Sequence, residues 1–133
     1  MLVLLAAAAA YVAAPETVVG RWQTPVRHGV VDITRCGGSI CGSLIESDGL
    51  RTDTNLKDAK NKDASKRSRA LKGLVILEGF SWKAGAWSGG TIYNADDGGT
   101  YTATVTPTGP NQIKLKGCIV WPLCKTQVWT RIR

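Results

Sequence analysis

Residues 86–101, AWSGGTIYNADDGGTY, constrain the fold of this chain more than any other stretch. Two runs rich in β-branched and aromatic residues flank a polar, glycine-rich centre. Trp87, Thr91 and Tyr93 share one parity of the first run, and Tyr101, Ala103 and Val105 share one parity of the run that follows. Side chains of one parity lie on one face of a strand, so each run offers a surface to bury. Asn94, Asp96 and Asp97 supply acceptors for neighbouring amides, and Gly98 and Gly99 accept positive φ. The stretch reads as a β-hairpin.

The same grammar recurs along the chain. Residues 17–23, 29–35, 39–46, 71–80, 111–120 and 125–132 read as further strands, giving eight in all with the two of the hairpin. CGGSIC, SWKAG, TPTGPNQ and WPLC read as turns between them. The run Leu74 to Leu77 has no polar alternation, which predicts a strand buried on both faces. Eight short strands with tight connections predict an antiparallel meander that closes into a barrel or sandwich, and closure removes exposed edges. A chain of 133 residues supports one such core.

Residues 47–72 break the pattern. They lack strand alternation, and a short helix is expected over residues 55–64. Residues 51–72 hold eight basic and three acidic side chains, so most of the net charge of +7 falls here. A connection this long in a small domain reads as a lid or binding loop. Lys66, Arg67 and Arg69 are its candidate contacts for an anionic lipid, glycan or protein surface, and the two arginines are also placed to bond carbonyls at a barrel rim. Nucleic acid is disfavoured, since no aromatic residue interleaves with the charge.

The first segment is apolar from Leu2 to Ala14 and too short for a comfortable membrane span. It ends in small residues and reads as a signal peptide over residues 1–14, leaving 15–133 as a single domain. No basic residue precedes the apolar run, and Pro15 shifts cleavage to follow Ala10 or Ala13. The competing readings are an anchor or a buried helix. Four cysteines, Cys36, Cys41, Cys118 and Cys124, agree with export and allow three disulfide connectivities. Local pairs, Cys36 with Cys41 and Cys118 with Cys124, are expected because each brackets a turn. The spacings are too long for zinc chelation and His28 is the one histidine, so no metal or cofactor is expected.

Gly20-Arg21-Trp22 on the first strand resembles the G-x-W of lipocalins and the wider calycin group. In those barrels an arginine from the last strand stacks on this tryptophan, which makes Arg131 the partner of Trp22 and places Gly20, Trp22 and Arg131 at a closed end. From Val19 to Arg133 the chain also resembles a bacterial exported family termed domain of unknown function 2147. The resemblance rests on GRW, the Cys41-Gly42 pair, RALKGLVIL, GGTIYNADDGGTY and KGCIVWPLCKTQVWTRI. It implies a lipocalin-like barrel and a periplasmic or secreted location, and implies no reaction. The T-D-Y motif of typical lipocalins is missing.

Catalytic chemistry has little to work with. His28 lies beside Arg27 with no nucleophile motif nearby. Asp96 and Asp97 are turn residues and too few for calcium. Asp32, Glu46, Asp48 and Asp53 show no spacing that singles out a carboxylate pair. The expectation is a non-catalytic protein that binds a small hydrophobic or amphipathic molecule within the barrel, with Trp82, Trp87, Tyr93, Tyr101 and Trp121 as candidate lining residues. The alternative is an envelope surface protein that docks through the basic loop. Trp22 and Trp129 are assigned to the core.

Overall fold

The computed structural model describes residues 11–120 and 123–132. Residues 1–10, most of the segment read as a signal peptide, together with Trp121, Pro122 and Arg133, lie outside the described residues.

The chain forms nine strand segments: β1 Gly20–Gln23, β2 Val30–Cys36, β3 Ser39–Glu46, β4 Leu74–Glu78, β5 Ser81–Lys83, β6 Ala86–Asn94, β7 Gly99–Gly109, β8 Gln112–Val120 and β9 Leu123–Arg131. Sequence neighbours other than β4 and β5 pair antiparallel, and β1 with β9 and β4 with β6 close the ring. Eight staves therefore make a closed barrel, and β5 is the extra segment. The stretch expected as a turn, SWKAG, instead continues β4 beyond a kink and pairs with the first half of β6. Gly79 supplies the kink at φ 81, and the Phe80 amide donates to Ser39 Oγ at 2.8 Å. The Phe80 ring then occupies the space where a Cβ on Gly90 would sit, 2.5 Å away.

Three other expectations are corrected. A register shift between Trp87 and Gly90, with Gly89 at φ 73, flips the parity of β6. Trp87 therefore points into the barrel with Ile92, while Thr91 and Tyr93 point out. The strand β4 is not buried on both faces: only Leu77 is fully buried, and an irregularity opposite Gly42 and Ser43 leaves Val75 facing solvent. No helix forms over residues 55–64. The short helix α1 lies earlier, at Asp48–Thr52, where Ser47 Oγ accepts from the Leu50 amide. In residues 55–64 the Asp and Asn side chains compete for the backbone instead, as when the Asp63 amide donates to Asn61 Oδ1.

One end of the barrel is filled. Val18, Trp22, Ile33, Ile40, Leu77, Phe80, Trp87, Val105, Ile113 and Trp129 form one buried cluster. A 3-10 turn at Pro15–Val18 plugs this end. Trp87 Nε1 donates to the Pro15 carbonyl at 3.0 Å, and Trp22 Nε1 donates to the Val18 carbonyl at 2.8 Å. The Arg131 guanidinium lies 4.3 Å from the Trp22 ring centre and donates to the carbonyls of Thr17, Val19 and Pro110. Indole face and guanidinium plane attract one another while the fork satisfies carbonyls of the plug. Gly20 opens β1 at φ 138. Disulfides join Cys36 to Cys41 and Cys118 to Cys124.

Candidate functional site

The interior opens at the other end. There the inward residues of β6 to β9 surround a cavity of about 450 Å³. Its apolar walls are Ile92, Leu115, Ile119 and Leu123, and Gly117 leaves room in the middle. Asn94, Asp97, Tyr101, Lys125 and Gln127 add polar groups. Cross-strand register produces this set: Ile92 pairs with Tyr101, Leu115 with Gln127, and Gly117 with Lys125.

The polar groups hold each other in place. Asp97 accepts from the Gly99 amide at 2.7 Å and from the Tyr101 hydroxyl. Burial raises the Asp97 carboxyl, but these hydrogen bonds outweigh it and hold the group below its ordinary value, with Lys62 and Lys125 adding a smaller effect. The same bond raises the Tyr101 phenol. Gln127 accepts from Trp129 Nε1 at 3.0 Å, so the amide is fixed against the top of the filled core. Next door, Arg27 and Asp96 pair at 3.1 Å across the β1–β2 and β6–β7 turns. Ionised carboxylate, phenol, amide and ammonium thus ring an apolar recess.

The five sequence-derived lining residues separate. Tyr101 lines the cavity. Trp82 packs edge-on against Trp87, with ring centres 5.6 Å apart, at the filled end, and Trp87 is 1% exposed. The bulge at Gly89 is the reason Trp87 sits there. Tyr93 faces outward beneath the long connection, and Trp121 lies outside the described residues. The reading missed Ile92, Leu115, Ile119, Leu123, Lys125 and Gln127. The inward parity of Leu115 and Gly117, continued past the cysteines, was the signal that could have found them.

Tyr93 belongs to a second cluster. Its hydroxyl donates to buried Asp58 at 2.5 Å, and Arg69 Nε and Asn61 Nδ2 donate to the other carboxylate oxygen at 2.9 and 2.8 Å. Burial pushes the Asp58 carboxyl up, but the three hydrogen bonds bring it below its ordinary value. Burial first, and Asp58 second, push the Tyr93 phenol up to about 12. Arg67 Nε donates to the Asn61 carbonyl at 2.8 Å. Gly98 lies so close to the connection that a Cβ would fall 1.8 Å from the Lys60 carbonyl oxygen. Of the three basic-loop candidates, Arg69 ties the loop to the barrel through Asp58 and the Tyr93 ring, Arg67 bonds within the loop, and Lys66 remains exposed. A groove of about 340 Å³ between loop and barrel carries charges of both signs, including Lys62, Asp63, Lys66 and Glu78.

His28 lies outside both recesses, with Nδ1 3.0 Å from Asp48 Oδ2 and a 70% exposed side chain. Among the described residues no cluster of His, Cys, Asp and Glu has metal-binding geometry.

The fold has a solved counterpart. Helicobacter pylori protein HP1028, described as belonging to the lipocalin family, superposes with a TM-score of 0.77 at 24% identity, covering 87% of this chain and 83% of that chain. A search of curated proteins gives no match. Residues 20–131 match the family model described as an uncharacterized protein conserved in bacteria, DUF2147. The chain, a lipocalin-like barrel from its first strand to its last, belongs to the DUF2147 family of bacterial proteins.

Proposed function

We propose that this protein is an exported, non-catalytic carrier of a small hydrophobic or amphipathic molecule held at the open end of the barrel. The cavity carries the reading. Its volume lies within the roughly 300–1,000 Å³ of small-molecule sites, and its apolar walls end in a polar ring. Lys125 at that ring suits an anionic head group. The leader-like residues 1–14 and the two disulfides support export to the periplasm or beyond. Residues 15–133 then form the mature domain. Docking through the basic loop has less support, because Arg67 and Arg69 are engaged within the molecule.

Titration with fatty acids of increasing length, followed by tryptophan fluorescence, tests the reading. A saturable response is expected, and Gly117→Leu, which narrows the cavity beside Ile92, abolishes it. No response from the unaltered protein, or one unchanged by Gly117→Leu, would overturn the proposal.

A further inference from the structure

The last two described residues of β8 and the first described residue of β9 are large apolar side chains, and all three are exposed. Ile119, Val120 and Leu123 are 70, 67 and 68% exposed. Ile119 and Leu123 also line the cavity, whereas Val120 does not. Apolar surface thus continues from the cavity wall onto the outside of the tip. The Cys118–Cys124 disulfide fastens the two strands directly behind it.

Charge is arranged around this tip in one sense. From Gly98 to Arg133 the sequence contains no Asp or Glu. Lys114 and Lys116 are exposed on β8, and Lys125 is exposed on β9. At about 3.4 Å per residue, Lys125 lies roughly 7 Å behind Leu123, and Lys116 roughly 10 Å behind Ile119. An apolar tip with cations set back by this distance matches the depth over which peripheral elements enter the boundary between head groups and acyl chains. The two nearby carboxylates are engaged, Asp96 by Arg27 and Asp97 by Tyr101 and the Gly99 amide.

We infer that the β8–β9 tip docks the barrel, mouth first, on an anionic phospholipid bilayer. The apolar side chains enter the interface while the lysines meet lipid phosphates, each basic side chain near such a surface strengthening binding severalfold. Apolar surface on more than the cavity side suits a fluid apolar medium better than a groove. This goes beyond the cavity reading and is tested separately from it.

The test is co-sedimentation of the full chain with vesicles of equimolar phosphatidylcholine and phosphatidylglycerol, against vesicles of phosphatidylcholine alone. Val120→Asp is expected to weaken binding to the anionic vesicles at least about tenfold. The double variant Lys114→Glu/Lys116→Glu is expected to do the same on anionic vesicles and to change little on neutral ones. Both variants carry the same N-terminal segment as the parent, so the difference reports the tip. Parent protein that stays in solution, or variants that sediment as the parent does, would overturn the inference. So would a parent dimer on gel filtration that Val120→Asp disperses, since a second copy would then cover the tip. Fatty-acid titration without vesicles keeps the readings apart: an unresponsive parent sinks the cavity and leaves the docking result standing.

Discussion

The two ends of the barrel are built from the same alternation of inward and outward residues, yet one is solid and the other hollow. At the filled end Trp22, Trp87 and Trp129 are buried and each indole nitrogen donates to an oxygen nearby. The plug at Pro15–Val18 and the fork of Arg131 complete it. At the mouth, Gly117 stands where the filled end would place a large side chain, and Ile119 and Leu123 are exposed. Stability and the proposed binding are thus separated along the barrel axis. The filled end supplies burial, and the mouth leaves apolar surface uncovered.

Substitutions should respond to that division. Trp22→Ala removes a fully buried indole and its hydrogen bond, and about 3–5 kcal/mol of stability should be lost in urea unfolding. If the loss were below about 1 kcal/mol, the filled end would not be where stability resides. Gly98→Ala comes next, at about 2–4 kcal/mol, because the position has φ 72 and a Cβ would strike the Lys60 carbonyl. Protease cleavage within residues 53–70 should accelerate as the connection lifts away.

Asp58→Asn should cost about 2 kcal/mol at neutral pH by weakening charge-assisted bonds from Arg69 and Tyr93. It should also change the response to pH. A carboxyl lowered in the folded state stabilises fully above its unfolded value, near 3.8, and loses that contribution as pH falls through its folded value. The variant should lack this part of the acid limb. Tyr93, raised to about 12, acts in the opposite direction: its contribution is whole below about 10 and is lost as pH rises through 12. Chemical denaturation at stepped pH checks both limbs. The smallest stability effect, under about 0.5 kcal/mol, is expected for Ile119→Ser at the mouth. The same change should weaken fatty-acid binding severalfold, which would sharpen the contrast between the two ends.

Much of the architecture was legible because turn chemistry and parity are local. SICGSLIE maps onto β3, and both cysteine pairs bridge across their own turns. Tyr101, Ala103 and Val105 all face inward, as an uninterrupted strand requires. The failures have one physical origin. A bulge of one extra residue reverses every side chain beyond it, and nothing in WSGG announces that Gly89 rather than Gly90 carries it. Trp87 and Tyr93 were therefore grouped on one face when they lie on opposite ones. The cavity draws on four strands, so its lining depends on register at three ladders. Asp58 was hidden for a different reason: a lone acid among lysines looks solvated until Tyr93 and Arg69 are seen to enclose it.

The pairing of Trp22 with Arg131 brings the start of β1 and the finish of β9 to the plugged end. A handle introduced at the described residues flanking these strands, Ala14 or Ile132, would therefore leave the aperture turned towards the bulk solution.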